Sequence, residues 1–192
     1  MDLLNYLTQN FLTEQQLLSA TRISADQLAA WQAEGKMPLP SYRLRIRLDC
    51  DSFFGPHSEQ SELRFYAKGS TAWISLLQTG ADARAAFDAR YKARLAELAS
   101  LSRHQPDLDD EWRHFLAGTY GLCTRSGLPE DIASKELAIA AIKEEQALTS
   151  NASQRLREAI DLLDAASAEF APHERARSSR QHYITALENC RR

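Results

Sequence analysis

Two short stretches of helical periodicity, separated by a polar corner, occupy residues 11–42. Each opens with a hydroxyl residue that is followed three positions later by glutamine, over residues 13–16 and 24–27, which is the capping-box pattern of a helix start. In the second stretch Leu28 and Trp31 lie three positions apart and therefore share one face of the helix. A glycine and two prolines then end this helix. These patterns predict a helix-turn-helix.

The period changes after this unit. Apolar and charged residues alternate over residues 41–51, which predicts a half-buried β-strand. The apolar face of this strand should cover the helices, and its other face displays an arginine strip: Arg43, Arg45 and Arg47. A loop is predicted over residues 51–60. Residues 62–67 then return as the second strand of a short β-hairpin, or wing, with Leu63 and Phe65 pointing inward.

From residue 69 onward, apolar residues recur at helical spacing, and glycine, proline or polar positions separate the stretches. The predicted helices cover residues 70–79, 81–102, 107–123, 129–148, 150–170 and a final helix that starts at Pro172 and includes Tyr183, Ile184 and Leu187. With a leading helix over residues 2–10, the fold class is mainly α. We divide the chain into an N-terminal winged helix-turn-helix domain with a short β-hairpin, residues 1–68, and a helical bundle, residues 69–192.

The pattern "LT-x-x-x-L … I-S-x-x-x-L-x-x-W-x-x-x-G-x-x-P-x-P" resembles the winged-helix head of the MerR and excisionase group over residues 11–48. This resemblance implies the shape of a small winged domain and fixes no ligand. A DNA-recognition helix needs cationic or amide side chains, whereas residues 25–34 contain no Arg or Lys and include Asp26 and Glu34. Gln27 and Gln32 are its remaining base-reading candidates. A DNA-binding transcription regulator with a helical effector domain is therefore the alternative function.

Composition restricts the class of protein. The chain is 44% hydrophobic and 26% charged, which is ordinary for a soluble globular protein. A net charge of −3 and a pI of about 6.0 disfavour nucleic acid as a partner. No stretch approaches the ~20 apolar residues of a membrane span, and the first ten residues lack the basic start of a secretory signal. Three separated cysteines, Cys50, Cys123 and Cys190, fit a reduced compartment, so we expect a cytoplasmic protein.

Candidate catalytic and metal sites are sparse. Glu111 and His114 have the spacing of a di-iron helix, but that chemistry needs a second such motif and two further glutamates, so we interpret them as a surface ion pair. The second set of metal candidates is Cys50, His57 and Glu59. They lack the short Cys and His pairs of structural zinc, so we interpret them as a buried thiol and a loop histidine with a nearby acidic residue. A Cys123 nucleophile would need a histidine base nearby in space. We therefore expect no metal and no cofactor on this chain, and no catalysis by it; an enzyme with an unrecognised helical site is a third alternative.

Two basic surfaces are candidates for binding. A strand edge beside the arginine strip can accept an extended peptide, with main-chain hydrogen bonds for affinity and arginines that select acidic side chains. The predicted peptide-binding residues are Tyr42, Arg43, Arg45 and Arg47. A second group, here called the C-terminal patch, is predicted to share one helical face and to dock a partner: His173, Arg177 and Arg180. A solvated face is the alternative interpretation of both surfaces.

Four segments extend the resemblance along the chain: LDCDSFFGPHSEQ, FYAKGSTAWI, WRHFLAGTYGLCTRSGLPEDIASKELAI and FAPHERARSSR. Together they resemble an uncharacterised bacterial protein family of natural-product biosynthesis, of the type of TglI, the small partner of the iron enzyme TglH in 3-thiaglutamate biosynthesis. The resemblance implies a non-catalytic accessory subunit that pairs with a TIM-barrel, multinuclear non-haem iron oxidase as a heterodimer. The iron and the chemistry on a peptide cysteine would belong to the oxidase.

The same resemblance implies that a winged, leader-recognising domain (a RiPP recognition element) holds the carrier or leader peptide. Nucleic acid and membrane are not implied as partners. This sequence departs from typical leader-recognition domains, whose strands precede their helices, because here the helices come first. No individual binding residue follows from the family, and the arginine strip is inferred from spacing alone.

Overall fold

A computed structural model describes residues 2–147 and 153–185. Its first part comprises α1 (Asp2–Asn10), β1 (Phe11–Thr13), α2 (Glu14–Thr21), α3 (Ala25–Ala33), β2 (Tyr42–Ser52) and β3 (Gly55–Ala67). Both predicted helices are present, with Thr13 and Ser24 as their N-caps. The reciprocal hydrogen bond of a full capping box is present at Thr13, where the Gln16 side chain accepts from the Thr13 backbone at 2.9 Å, and is not found at Ser24. The Thr13 hydroxyl accepts from the Gln16 backbone at 3.2 Å, and the Ser24 hydroxyl accepts from the Gln27 backbone at 3.1 Å. Arg22, at φ 57°, makes the left-handed corner between them.

The three strands form one antiparallel sheet in the order β1-β3-β2. The β2–β3 hairpin is longer than predicted, because pairing runs from Tyr42 opposite Phe65 to Ser52 opposite Gly55. The predicted loop over residues 51–60 is therefore wrong. Most of this segment is exposed on both faces, so it has no apolar alternation that would identify a strand from sequence.

The sheet's two faces pack against different parts of the chain. Its apolar face covers α1 and the segment after α9, in a cluster that includes Tyr6, Leu7, Phe11, Tyr42, Leu44, Leu63, Phe65 and Ala171. On the opposite face, Tyr66 joins α2 and α3 through Leu17 and Leu28. Among the N-terminal helices, the expectation that the apolar face covers the helices therefore holds for α1, whereas α2 and α3 lie on the other side.

The rest of the described chain is mainly helical, as predicted, so the fold is mainly α with a small three-stranded antiparallel sheet. The helices are α4 (Ser70–Gln78), α5 (Ala83–Glu97), α6 (Leu108–Leu116), α7 (Thr119–Cys123), α8 (Pro129–Ala147) and α9 (Gln154–Ala166), followed by a 3₁₀ turn (Arg175–Arg177) and a π-helical segment (Arg180–Thr185). The single helix predicted over residues 107–123 is two helices. Gly118 separates them at φ 79°, and a Cβ there would lie 2.5 Å from the Leu39 carbonyl oxygen.

The predicted final helix is also wrong for its described part. Residues 172–174 form a turn, and the 3₁₀ and π-helical segments follow in place of one α-helix. Leu148, Ser150, Leu187 and Cys190, which the sequence predictions also used, lie outside the described residues.

The largest hydrophobic cluster crosses the predicted domain boundary at residue 68. It combines Leu28 and Tyr66 from one side with Trp73, Phe87 and Phe115 from the other. The Trp73 indole also donates to the Lys36 carbonyl at 2.9 Å. The division into residues 1–68 and 69–192 stays a prediction. In residues 2–147 and 153–185, no helix combines the length and the apolar character that crossing a membrane requires.

Candidate functional site

The arginine strip lies on β2 as the alternation predicts, with all three side chains exposed. Arg45 lies 3.9 Å from Glu62 on β3, and Arg47 lies 3.2 Å from Asp49 on its own strand. Arg43 is different, because its cross-strand partner is Arg64 and, among the described residues, it forms no ion pair. Two like charges directly opposite each other on a sheet are unfavourable. This end of the arginine strip is therefore suited to an added acidic group.

The edge beside the arginine strip is open. Within the described strands, β2 pairs only with β3, so the outer main-chain groups of residues 42–52 have no strand partner. The outer edge of β3 is covered by β1 only over residues 65–67. Where β1 stops, a cavity of 420 Å³ lies between the start of α2 and β3. The sheet thus has one long open edge and one partly covered edge.

Tyr42 takes part in the fold through its side chain. Its ring packs edge-on against Phe11 and Tyr6, with centroids 5.0 and 6.3 Å apart, and its hydroxyl donates to Glu174 at 2.5 Å. Burial, reinforced by the hydrogen bond to Glu174, raises the pKa of Tyr42. Tyr42 therefore offers a peptide its backbone edge, while its side chain lies on the face opposite to the arginine strip.

The three residues of the C-terminal patch do not share a helical face. His173 lies in a turn and Nε2 approaches Glu174 Oε1 at 3.7 Å, whereas Arg177 ends the 3₁₀ turn and is exposed. Arg180 belongs to the π-helical segment and forms an ion pair with Asp164 of α9. The prediction of one helical face is wrong, because the 3₁₀ turn that holds Arg177 ends before the segment that holds Arg180 begins. The buried Ser178 lies between the two arginines as the C-cap of that turn. Whether the C-terminal patch docks a partner stays a prediction.

A group of polar residues that the sequence interpretation missed lies between α5, α6, α7 and α8. This buried polar cluster consists of Tyr91, Glu111, Tyr120, Cys123, Lys135 and Glu136. The Lys135 ammonium lies 3.1 Å from the Glu136 carboxylate, and only 7% of the Lys135 side chain is exposed. The Tyr120 hydroxyl donates to Glu111. The Tyr91 hydroxyl is buried and has no hydrogen-bond partner.

Burial governs the electrostatics of this cluster. It raises the pKa of Glu111, although the hydrogen bond from Tyr120 acts in the opposite direction. It raises the pKa of the Cys123 thiol as well, although Lys135 partly offsets this. Burial alone would lower the pKa of Lys135, but Cys123, Glu136 and Glu111 together raise it. Near neutral pH, Cys123 is therefore a thiol and Lys135 an ammonium, which is an unreactive state for both.

The other catalytic and metal candidates are also changed by the structure. Glu111 is half-buried and bonded to Tyr120, so the predicted surface ion pair with His114 is wrong. Cys50 is exposed on β2 directly opposite His57, which lies in a strand and not in a loop, so the buried thiol and the loop histidine are both corrected. His57 Nε2 lies 3.8 Å from Glu59. Across the described ranges, no three His, Cys, Asp or Glu residues are grouped so as to hold a metal ion.

Comparison with known proteins gives one match. A family model described as "Family of unknown function (DUF6058)" matches residues 83–190, more than half of the chain. No curated protein and no solved structure matches. The matched segment contains the buried polar cluster and the C-terminal patch, whereas the arginine strip lies outside it. The resemblances to winged helices and to TglI-type partner proteins stay predictions. The segment from α5 onward thus assigns the chain to the DUF6058 family, whose function is unknown.

Proposed function

We propose that the chain is a non-catalytic accessory subunit that binds a carrier or leader peptide and presents it to a partner non-haem iron oxidase. The observation that supports this proposal most is the open edge of β2 beside the arginine strip. An unpaired strand edge offers main-chain donors and acceptors to an extended peptide. The element order α1-β1-α2-α3-β2-β3 is the order expected of a winged helix-turn-helix, which we propose as the binding domain.

The peptide would add antiparallel or parallel to β2 over residues 42–47. Alternate peptide side chains then lie on the same face as the arginine strip. An acidic side chain near Arg43 would relieve the repulsion between Arg43 and Arg64. Side chains on the other face would meet Leu44 and Ile46, which are half-buried. The site therefore selects a peptide in which acidic and apolar residues alternate.

Features of α3 favour a peptide over DNA. Gln32, one of the two base-reading candidates of α3, donates to the Pro38 carbonyl at 3.0 Å and to the Tyr66 hydroxyl at 3.2 Å. Its amide is therefore occupied within the fold. Gln27 stays exposed, but its neighbour Asp26 is exposed as well and would face the phosphates. We keep the transcription regulator as the alternative that the experiment must separate.

We assign the chemistry to the partner, and the states of two groups in the buried polar cluster support this assignment. Cys123 has a raised pKa, and the forces that act on Lys135 keep it protonated. An iron-dependent partner would supply oxidation of a peptide cysteine. On this proposal the present chain supplies affinity and position.

The test is a titration with a fluorescein-labelled synthetic peptide in which glutamate and leucine alternate, using the full chain and the triple variant Arg43→Ala, Arg45→Ala, Arg47→Ala. Each exposed ion pair should contribute about 0.2–1 kcal/mol, so the triple variant should bind roughly tenfold more weakly or worse at low salt. The loss should shrink at high salt, because exposed charges are screened. The melting temperature should not change, since the three side chains are exposed.

A matched control removes the same charge elsewhere, with Arg103, Arg113 and Arg177 changed to alanine, since all three are also exposed. This control should bind the peptide as the unchanged chain does. Equal affinity of the arginine-strip variant and the unchanged chain at low salt would show that the strip is only a solvated face. Tight, sequence-selective and salt-sensitive binding to upstream DNA in a gel-shift assay would support the regulator instead.

A further inference from the structure

The far half of the β2–β3 hairpin projects away from the rest of the chain. From residue 47 to residue 62 every side chain is exposed except the half-buried Gly55 position. None of the residues beyond Ile46 on β2, or before Leu63 on β3, belongs to a hydrophobic cluster of the described chain. We call residues 48–61 the hairpin arm. A two-stranded hairpin without a packed face is only marginally stable in water, so the arm gains stability if something covers it.

The tip of the hairpin arm is aromatic. Phe53 and Phe54 are 97% and 94% exposed, and their rings meet edge to face with centroids 5.3 Å apart. Leu48, further along β2, is 52% exposed. The two rings leave apolar surface in water, which is unfavourable for the free chain, and their only ring contact among the described residues is with each other. Large aromatic side chains displayed in this way are typical anchors of protein interfaces.

Nothing in the turn itself requires phenylalanine. Gly55 supplies the positive φ of 106°, and neither phenylalanine has a positive φ. The Ser52 hydroxyl accepts from the Phe54 backbone N–H at 3.2 Å and donates to the Gly55 carbonyl at 3.3 Å. Serine and glycine therefore make the turn, and polar residues at positions 53 and 54 would fit the same backbone. Within residues 2–147 and 153–185 the only ring contact of Phe53 and Phe54 is with each other, so the contact that explains them lies outside this part of the chain.

The charge of the hairpin arm restricts what that contact is. Residues 48–63 contain no Lys or Arg, and the arm includes Asp49, Asp51 and Glu59. An acidic arm is repelled by the phosphates of nucleic acid and by an anionic lipid surface. It is attracted to a protein surface that is basic.

We infer that the hairpin arm is a docking element that inserts Phe53 and Phe54 into an apolar pocket of a partner protein whose rim is lined with Lys and Arg. This inference goes beyond the proposed function, because peptide binding is assigned to residues 42–47. Along an extended strand the tip lies about 25 Å from Arg45, at ~3.3 Å per residue. The tip and the arginine strip therefore offer two separate contacts with opposite charge preference.

The experiment places the photo-cross-linker p-benzoylphenylalanine at position 54 of the full chain, expressed in the cells that make it. A control chain has the cross-linker at Ser19, an exposed position on α2. The expected result is one protein adduct that is specific to position 54. Mass spectrometry should map it to an apolar pocket bordered by Lys or Arg. An adduct no stronger than that at Ser19, or one with lipid, nucleic acid or a second copy of this chain, would overturn the inference.

The adduct protein is then purified and titrated with the full chain and with Phe53→Ser, Phe54→Ser. The double variant should bind at least tenfold more weakly, because both buried rings are lost. Asp49→Lys, Asp51→Lys should also weaken binding at low salt, and less so at high salt. The double serine variant should keep its melting temperature. Unchanged affinity of the tip variant for the adduct protein would contradict a protein pocket. So would sedimentation of the unchanged chain with phosphatidylglycerol vesicles, if the tip variant no longer sediments with them.

Failure of this inference is distinguishable from failure of the proposed function. The tip variant should still bind the labelled peptide with the affinity of the unchanged chain. The arginine-strip variant should lose the peptide and retain the adduct protein. If only one of these two losses is observed, only the corresponding site is supported.

Discussion

The hairpin arm and the buried polar cluster depart from the usual distribution of side chains in opposite ways: apolar rings are exposed in the arm, and charged groups are buried in the cluster. At the tip of the arm, two phenylalanines lie in solvent; between α6 and α8, a lysine and two glutamates lie inside the fold. Phenylalanine is ordinarily buried, and charged residues are almost never buried without a partner. In the cluster the compensation is internal, because Lys135 pairs with Glu136 and Tyr120 with Glu111. In the arm no described residue covers the two rings, and this difference marks the arm as a surface suited to contact with another molecule.

The largest expected effect is that of removing a buried aromatic ring. It tests whether phenylalanine contributes to the free energy of unfolding only where its ring is buried. Phe87 is fully buried and packs against Tyr91, Trp112 and Phe115, with centroids 5.1–5.7 Å away. Phe87→Ala should lower the free energy of unfolding by about 3–5 kcal/mol, because it loses burial and leaves a cavity. Urea unfolding followed by circular dichroism measures this difference.

The matched variant is Phe53→Ala, Phe54→Ala, which deletes two of the same side chains from the arm. Its free energy of unfolding should change by no more than about 0.5 kcal/mol, as is usual for exposed positions. A loss of several kcal/mol would mean that the rings pack within the chain, and the comparison between arm and cluster would fail.

A smaller effect concerns the ion pair of the buried polar cluster. Lys135→Met should destabilise the fold by about 1–3 kcal/mol, less than for a fully buried pair because 26% of the Glu136 side chain is exposed. The double change Lys135→Met, Glu136→Gln should recover part of the loss, since no carboxylate then lacks its cation. Denaturant unfolding of the four proteins in this cycle gives the coupling energy. No recovery in the double variant would show that Lys135 acts through packing alone.

The smallest effect is a pH dependence. Burial raises the pKa of Glu111, so at a pH between its unfolded and folded pKa values the folded state retains a proton that the unfolded chain has lost. The contribution of Glu111 to stability therefore falls as the pH rises through that window. Glu111→Gln lacks this contribution, and its glutamine oxygen can still accept from Tyr120. The stability of the variant relative to the unchanged chain should therefore rise as the pH increases above the usual pKa of a glutamate.

Thermal melting at several pH values checks the sign. A relative gain for Glu111→Gln on acidification, in place of a gain on alkalisation, would mean that the hydrogen bond from Tyr120 outweighs burial. The pKa of Glu111 would then be lower than its usual value.

Local patterns predicted the local structure. The capping boxes gave both helices of the helix-turn-helix, and the alternation of apolar and charged residues gave β2 with the arginine strip on its exposed face. Gly118 ended a predicted helix because of a contact with a distant segment: a Cβ at this position would lie 2.5 Å from the Leu39 carbonyl oxygen. The length of the hairpin was missed since a strand that is exposed on both faces has no periodic signal.

The candidate sites were predicted less completely, because they depend on contacts between distant residues. Tyr91 and Tyr120 look like ordinary core positions in sequence, and only the packing of four helices brings them beside Glu111 and Glu136. Lys135 did give a signal, since it interrupts an apolar stretch of α8, but its partner was not identifiable from spacing. The repulsion between Arg43 and Arg64 required the register of the hairpin.

The segment that follows α9 returns to the N-terminal residues. The Tyr6 hydroxyl donates to the Glu169 carbonyl at 2.5 Å, Ala171 is fully buried beside the sheet, and Glu174 accepts from Tyr42. This segment lies inside the family match, whereas Tyr6 and Tyr42 lie outside it. These contacts join the two regions. A substitution of Ala171 or Glu174 should therefore disturb the packing beside the sheet or remove the hydrogen bond to Tyr42, and an N-terminal region without Tyr6 and Tyr42 should lose its hydrogen bonds to this segment.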